Sequence, residues 1–211
     1  MMIRKIVILG APGSGKGTQA KKLQKEFGWN HISTGDILRS EIEKKSDVGA
    51  KVEQFVNEGK LVPDDIIIEL IKKRLSGNKA QTGFILDGFP RNVVQAEKLN
   101  RILDNLKINL DAVLLIDVDE NEIIKRISKR FVCENCGPVI VDNADDKKCP
   151  HCGGKLYRRE DDTPKTVKHR LEVFEKQTRS LINYYKGRNL FKSVNGNGSI
   201  DEVYERIKAA L

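Results

Sequence analysis

The chain has 211 residues, of which 39% are hydrophobic and 32% are charged, with 17 glycines and 6 prolines spread along its length. This length and balance exclude a disulfide-stapled miniprotein and argue against a disordered or collagen-like chain, leaving one domain with room for an inserted module. The formal net charge of +8, from 38 basic and 30 acidic side chains, favours an anionic partner such as a nucleotide or a nucleic acid, although a merely solvated basic surface has the same composition.

The N-terminal segment MMIRKIVILG contains an apolar run that is too short for a signal peptide and is followed by no small-residue cleavage site. No stretch of the sequence approaches the roughly 18 uninterrupted apolar residues that a membrane span needs. We therefore expect a cytoplasmic protein that has no membrane partner.

Predicted strands and helices alternate along the chain. The apolar runs at 3–9 and 112–118 do not alternate with polar residues, which indicates strands covered on both faces, and 83–87 and 190–194 are shorter candidates. Helix-length segments lie between them, at 64–75, 93–106, 120–129, 166–185 and 201–210. This alternation predicts an α/β fold, a doubly wound parallel sheet of about five strands with helices on both faces.

Two segments interrupt the alternation. The first, 33–62, is predicted to form two short helices without a strand between them, and we call it the helical insertion. The second, 129–162, carries four cysteines with little helical periodicity, and we call it the cysteine insertion. The core domain would then comprise 1–32, 63–128 and 163–211.

A glycine-rich run, GAPGSGKGT at 10–18, follows the first predicted strand and begins a helix, which is the context of a phosphate-binding loop. Its glycines let backbone N–H groups turn toward phosphate oxygens at a helix N-terminus, and Lys16 adds a positive charge that can follow a transferring phosphoryl group. Gly17 follows Lys16, so the usual hydroxyl comes one residue later, at Thr18. We predict a P-loop here, rather than a glycine-rich turn with an incidental lysine.

The run GAPGSGKGTQA resembles the phosphate loop of nucleoside monophosphate kinases, and three further segments resemble the adenylate kinase family in particular. Those segments are STGDILR at 33–39, GKLVPD at 59–64, and LDGFPR at 86–91 with Gln95 one turn on. The resemblance continues in register over essentially the whole chain, through Arg126, Arg130, the REDD segment at 159–162 and Arg170. It implies a P-loop NTPase type of fold and the reversible, Mg²⁺-dependent transfer of the terminal phosphoryl group of ATP to AMP, giving two ADP, in adenine nucleotide homeostasis.

The same resemblance implies which residues bind each substrate. The ATP site would comprise Gly13, Ser14, Gly15, Lys16, Gly17, Thr18, Arg126, Arg130, Val139, Ile140 and Gly198. The AMP site would comprise Thr34, Arg39, Lys60, Leu61, Val62, Gly88, Phe89, Pro90, Arg91, Gln95, Arg159 and Arg170. The catalytic residues would be Lys16, Arg91, Arg130, Arg159 and Arg170.

The arginines have distinct implied roles. By resemblance, Arg39 and Arg91 hold the AMP phosphate, Arg130 holds the ATP phosphates, Arg159 and Arg170 bridge both substrates, and Arg126 stacks on the ATP adenine. Guanidinium groups bind phosphate through two parallel hydrogen bonds, which suits a site that must neutralise many phosphate oxygens. Any one of these arginines alone is more often a solvated surface charge, so the prediction depends on the set. No general base is needed, because a phosphate oxygen is already an adequate nucleophile.

Asp87 ends a predicted strand at the place where P-loop proteins position a magnesium carboxylate, often through water. A turn or helix-capping aspartate before Gly88 is the alternative. Asp161 and Asp162 belong to the resemblance, although on residue type alone they could be a solvated acidic pair. Thr34 and Gln95 resemble the adenylate kinase choices for an adenine acceptor, since glutamine can pair with the amino edge of that ring.

Four cysteines form two CxxC pairs, Cys133-x2-Cys136 and Cys149-x2-Cys152, separated by 12 residues. This arrangement offers four thiolates to a tetrahedral zinc ion, and a closed set of four leaves no open position, so we expect a structural metal. The gap is shorter than in zinc-bearing adenylate kinases, so the loop between the pairs should be trimmed. His151 could compete as a ligand, a redox disulfide is an alternative, and iron remains open beside zinc.

A second interpretation is a nucleic-acid-binding protein that joins a P-loop ATPase to a zinc finger. Residues 131–162 carry five lysines and arginines against seven aspartates and glutamates, whereas a finger that binds a phosphate backbone should be basic. Aromatic residues make up only 6% of the chain and are not interleaved with basic ones. We therefore expect no nucleic-acid partner and a monomer whose partners are ATP, AMP and ADP.

Overall fold

The computed structural model describes residues 3–76, 82–135, 139–141 and 148–211. Its strands are β1 (Lys5–Leu9), β2 (Asn30–Ser33), β3 (Phe84–Asp87), β4 (Ala112–Asp117), β5 (Arg130–Cys133), β6 (Val139–Val141), β7 (Leu156–Tyr157) and β8 (Phe191–Asn195). Its helices are α1 (Lys16–Phe27), α2 (Thr34–Glu43), α3 (Asp47–Glu58), α4 (Asp64–Leu75), α5 (Val93–Asn105), α6 (Glu120–Ser128), α7 (Pro164–Val173), α8 (Ser180–Lys186) and α9 (Ile200–Ala210). No helix within these ranges is both long and apolar enough to cross a lipid bilayer.

Five strands form a parallel sheet in the order β2-β3-β1-β4-β8, which confirms the predicted α/β fold. The side chains of β1 alternate between two hydrophobic clusters, with Val7 and Leu9 on one face and Ile6 and Ile8 on the other. Helices α4, α5 and α8 cover the first face, and α1 and α9 cover the second. Since each aliphatic side chain that is fully buried contributes about 1.5–3 kcal/mol, these two layers hold the sheet in place.

One strand of this sheet was not identified from the sequence. Strand β2 has the sequence NHIS and buries only Ile32, and among the described strands it pairs only with β3, at the sheet edge. A four-residue edge strand with one buried apolar residue produces no apolar run, which is the signal that revealed the other strands.

The predicted helix at 166–185 is interrupted, so that prediction is wrong in its continuity. Helix α7 passes into a π-helical turn at Phe174–Thr178, and α8 follows it. A π turn adds a residue to the helical repeat and is common at functional sites. Apolar side chains occur both before and after the π-helical turn, so the hydrophobic pattern of the sequence did not indicate that the α-helix is interrupted.

The two insertions have different structures. In the helical insertion, α2 and α3 begin at Ser33 and Ser46, whose hydroxyls accept hydrogen bonds from Asp36 N and Gly49 N. In the cysteine insertion, β5, β6 and β7 form an antiparallel sheet in the order β6-β5-β7. The exact boundaries of the core and the insertions stay a prediction.

Candidate active site

A cavity of about 820 Å³ lies at the carboxyl ends of the parallel strands. Its wall includes the loops that follow β1, β3 and β8, together with residues from both insertions. Open parallel sheets bind their ligands at this edge, because the loops after the strands converge there. The sheet therefore delivers separate motifs of the sequence to one place.

The cavity collects nearly all of the predicted binding residues. From the ATP set, the wall contains Gly13, Ser14, Gly15, Lys16, Gly17, Thr18, Arg126, Arg130, Val139 and Gly198. From the AMP set, it contains Thr34, Arg39, Lys60, Leu61, Val62, Gly88, Pro90, Arg91, Gln95, Arg159 and Arg170. Phe89 is instead fully buried in the core, and the side chain of Ile140 lies outside the described residues.

The loop after β1 has the backbone of a phosphate cradle. Gly13 and Gly15 have φ angles of 82° and 93°, a left-handed conformation that side chains other than glycine rarely adopt, and α1 begins directly after Gly15. Lys16 Nζ donates hydrogen bonds to the carbonyl oxygens of Gly10, at 2.8 Å, and Ala11, at 2.9 Å. The amine is thus folded over the loop at the N-terminus of the helix, where anions bind.

The surroundings of Lys16 disfavour the protonated form of its amine. Burial, followed by repulsion from Arg91 and Arg130, lowers its pKa to about 8, although Asp87 acts in the opposite direction. Burial and the charges of Arg170 and Arg39 likewise lower the pKa of Arg91 to about 10. Among the described residues, eleven lysines and arginines line the cavity, against the carboxylates of Asp36, Asp87 and Glu122. The cavity is therefore suited to an anion of several charges.

Asp87 lies beside the phosphate loop. It is the last residue of β3 and is 8% exposed, and a Cβ added to Gly17 would come within 3.3 Å of its Oδ2. The same Oδ2 is 3.3 Å from His31 Nε2, a contact that the sequence analysis did not predict. Helix α5 is capped by Asn92, so the helix-capping alternative for Asp87 is wrong.

Carboxylates hold several of the predicted arginines. Arg130 donates from Nε to Asp162 Oδ2 at 2.7 Å, and Arg170 pairs with Asp161. The Asp161 and Asp162 side chains are 5% and 4% exposed, so the solvated-pair alternative is wrong for both. Burial opposes the charge of Asp161, but Arg170 and Arg39 outweigh it and lower the pKa of this carboxyl group.

Asp36, for which no role was predicted from the sequence, holds a second pair of arginines. Its Oδ1 accepts a hydrogen bond from Arg39 at 2.6 Å and lies 4.0 Å from Arg159. Burial raises the pKa of Asp36, but the hydrogen bond and charge of Arg39 reverse the effect and lower it overall. Burial, followed by repulsion from Arg39 and Arg130, lowers the pKa of Arg159.

Arg91 is fixed by hydrogen bonds from three directions. Its Nε donates to Gly88 O at 2.9 Å, and its backbone N–H donates to Gln95 Oε1 at 2.7 Å. Thr178, in the π-helical turn, donates from Oγ1 to Arg91 O at 2.9 Å. Both the side chain and the backbone of Arg91 are thus positioned before any substrate arrives.

Arg126 lies against the loop that follows β8. Its Nε donates to Glu122 Oε1 at 2.8 Å, and its NH2 group donates to Gly196 O at 3.0 Å. Ser199 and Ile200 continue this part of the wall and were missed from the sequence. Their only signal was the capping box that Ser199 forms with Glu202 at the start of α9.

Three of the four cysteines meet in the cysteine insertion. The Sγ atoms of Cys133, Cys149 and Cys152 all lie within 4.8 Å of one another, while Cys136 falls outside the described residues. Cys133 and Cys152 are separated by 3.5 Å, which is too long for a disulfide of about 2.05 Å and close to the about 3.8 Å between thiolates on a tetrahedral zinc ion. His151 lines the cavity instead of joining this cluster.

Comparison with known proteins gives a consistent result. The family model described as adenylate kinase matches residues 8–190. Similar proteins include the adenylate kinases of Thermodesulfovibrio yellowstonii, at 44% identity over 98% of both chains, and of Methanocella arvoryzae, at 46% over 97% of both. The adenylate kinase of Thermoanaerobacter sp. is 46% identical over 98% of this chain and 97% of its own.

Proposed function

Since the chain belongs to the adenylate kinase family, whose members transfer a phosphoryl group from ATP to AMP to give ADP, we propose that the cavity performs this transfer with the residues described above. The observation that carries this assignment is the convergence of five cations on one cavity. Lys16, Arg91, Arg130, Arg159 and Arg170 come from distant parts of the sequence and all line it. In phosphoryl transfer, positioning and charge stabilisation supply most of the catalysis.

ATP binds in the half of the cavity formed by the phosphate loop and α6. The N–H groups of 13–18 surround its phosphates, with Lys16 and Arg130 supplying positive charge. Arg126 and Gly198 flank the adenine, because the carbonyl contacts of Arg126 hold its guanidinium beside the loop at 196–198. Val139 and Ile140 cover the nucleotide from the cysteine insertion.

AMP binds between the helical insertion and the loop after β3. Arg39 and Arg91 hold its phosphate, while Thr34 and Gln95 face its base. The wall there also includes Leu38, Val62 and Ile67, which give an aromatic base an apolar surface. Lys60, Leu61, Gly88, Phe89 and Pro90 complete this half, with Phe89 supporting it from the core.

The carboxylates that pair with the arginines compete with the substrate phosphates for the guanidinium groups. A phosphate group carries more charge than a carboxylate and accepts the same two parallel hydrogen bonds from a guanidinium group. Phosphates therefore compete with Asp36 for Arg39 and Arg159, whereas the buried Asp161 continues to orient Arg170. In this way Arg159 and Arg170 bridge the two substrates at the transferring group.

Family members use Mg²⁺ with ATP, and when bound the ion neutralises phosphate charge. Asp87 is the residue that would hold it, through water, since its carboxylate lies beside Gly17 of the phosphate loop. The three clustered thiols, together with Cys136, fit a structural zinc ion, and a fourth thiolate would close the tetrahedron.

The helical insertion and the cysteine insertion close over AMP and ATP respectively, because transfer must exclude water as a competing acceptor.

The enzyme acts as a monomer, without nucleic acid or membrane partners. A zinc site made of thiolates suits the reducing cytoplasm, where we place the protein.

A panel assay tests the reaction and its acceptor. The protein is incubated with ATP, Mg²⁺ and each of AMP, dAMP, CMP, UMP and GMP, and ADP formation is measured. AMP should be the best acceptor, and Lys16→Met should lower the rate about 10²–10³-fold or more, because it removes a preorganised charge contact with the phosphates. Lys73→Met, an exposed substitution on α4, is the matched control. Equal kcat/KM for UMP and AMP, or substantial turnover by Lys16→Met, would contradict the proposal.

A further inference from the structure

Both ends of the Gln95 amide are already engaged within the protein. Gln95 is 2% exposed, and its Nε2 donates to Asp64 Oδ1 at 2.6 Å. Its Oε1 accepts the backbone N–H of Arg91 at 2.7 Å. A buried side chain on the cavity wall is thus held at both of its polar atoms.

These two partners determine which way the amide faces. A carboxylate only accepts hydrogen bonds and a backbone N–H only donates one. If the oxygen and nitrogen of Gln95 were exchanged, its oxygen would face the Asp64 carboxylate, acceptor against acceptor, and its NH2 group would face the Arg91 N–H, donor against donor. Each mismatch would leave buried polar groups without partners, which is costly. The amide therefore has a single orientation.

Asp64 is itself held in position. It is the first residue of α4, and its Oδ1 also lies 3.3 Å from Asn92 Nδ2. Asn92 in turn accepts the backbone N–H of Gln95 on its Oδ1, at 2.8 Å. Asp64, Asn92 and Gln95 thus form a closed set of hydrogen bonds that joins the start of α4 to the start of α5.

After these two bonds the amide keeps one N–H and one oxygen lone pair, on two atoms bonded to the same carbon. Adenine presents a donor amine next to an acceptor ring nitrogen, which matches this pair. Hypoxanthine presents an acceptor oxygen next to a ring N–H, which is the reverse pattern. An amide that cannot turn over would therefore accept 6-amino purines and oppose 6-oxo purines.

We propose that Asp64 is a positioning residue that sets acceptor specificity, because it fixes the Gln95 amide in the orientation that pairs with a 6-aminopurine monophosphate. This inference rests on the proposed function, in which Gln95 faces the acceptor base. Asp64 does not line the cavity, and its shortest contact there is the one with Gln95, so it would act on the acceptor through Gln95. Its effect should therefore appear in the choice between bases rather than in the handling of ATP.

The test compares AMP with IMP, whose bases differ at the two positions that would face Gln95. The kcat/KM of each acceptor, the KM for ATP and the Tm are measured for the wild type and Asp64→Asn. An asparagine can offer either an oxygen or an NH2 group, so the AMP-to-IMP ratio of kcat/KM should fall about tenfold, with the KM for ATP unchanged. A merely structural tie between α4 and α5 would lower the Tm without moving this ratio.

Asp65→Asn is the matched control. It removes the same charge from the same first turn of α4, but at an exposed side chain. Should Asp64→Asn fail to fold, Asp64→Ser, which also removes the carboxylate, gives the same readout. An AMP-to-IMP ratio that changes no more in the Asp64 variant than in Asp65→Asn overturns the inference.

Gln95→Leu separates this inference from the proposed function. If Gln95→Leu lowers the AMP-to-IMP ratio and Asp64→Asn does not, Gln95 reads the base but Asp64 does not position it, and only the inference fails. If Gln95→Leu leaves the ratio at the wild-type value, the role of Gln95 in the proposed function fails as well. A fall in both variants supports both.

Discussion

The depressed pKa of Lys16 should make ATP binding take up a proton, and replacing Lys16 by arginine tests this. Burial and the neighbouring arginines lower the pKa of Lys16 to about 8, from an ordinary value of 10.5. That difference corresponds to about 3 kcal/mol disfavouring the charged amine. A triphosphate beside the amine would favour the charged form and restore the proton.

The expected proton uptake follows from this pKa. At a pKa of about 8, about nine in ten Lys16 side chains are charged at pH 7, but only about one in four at pH 8.5. If bound ATP keeps the amine fully charged, binding takes up about 0.1 proton at pH 7 and about 0.8 proton at pH 8.5. Affinity for ATP should accordingly weaken as the pH rises above 8.

Isothermal titration calorimetry with Mg²⁺ and ATP, in two buffers of different ionisation enthalpy, measures this uptake at each pH. Lys16→Arg should show no uptake, because a guanidinium group stays charged at both pH values. No measurable uptake by the wild type at pH 8.5, or equal uptake by Lys16→Arg, would refute the reasoning. The wild-type profile alone is decisive if the variant binds too weakly.

The same pKa fixes the sign of a stability effect. Because the folded pKa lies below the unfolded one, folding releases a proton between pH 8 and 10.5, and the free energy of unfolding rises with pH across that window. Below pH 8 the cost of the buried charge is fully present. In urea unfolding, the wild type should therefore gain stability relative to Lys16→Arg as the pH rises from 8 to 10.

Two further predictions concern the insertions. Cys149→Ala should lower the Tm and lose about one equivalent of zinc, with activity at low temperature only partly reduced. The reason is that the cysteine insertion is too small to have a hydrophobic core, so the metal stabilises its fold instead. Freshly purified wild-type protein without metal would contradict this. Hydrogen exchange should slow in 33–62 and 129–162, but not in β1 or β4, when a bisubstrate analogue binds, since closure protects their backbones, and unchanged exchange in both insertions would count against closure.

Much of the fold could be predicted because its central strands are buried on both faces. The apolar runs of β1 and β4 reflect that burial directly, and the helices between them have the expected lengths. Strand β2 was not predicted, because one buried side chain at a sheet edge produces no hydrophobic pattern in the sequence. The hydrophobic pattern of a sequence thus indicates which strands are buried. It does not indicate an edge strand that is held mainly by backbone hydrogen bonds.

The cations of the site could be predicted because they lie in recognisable motifs. Arg39 and Arg126 each pair with a carboxylate of their own helix, but the other contacts could not be predicted, since they depend on how separate segments pack. His31 approaches Asp87 across 56 residues of chain, and Asp64 approaches Gln95 across 31. An aspartate with one buried partner resembles a surface aspartate in the sequence, so only the fold reveals which carboxylates orient the site.

The π-helical turn makes the site sensitive to chain length. Residues in an α-helix advance by about 100° each, so a turn that holds one extra residue shifts the angular phase of everything after it. This phase lets Thr178 reach Arg91 while Tyr185, one element later, is fully buried in the core. Deleting a single residue from Phe174–Thr178 would restore the α-helical repeat, but it would turn either Thr178 or Tyr185 away from its partners. At this position the site depends on the number of residues as well as on their identity.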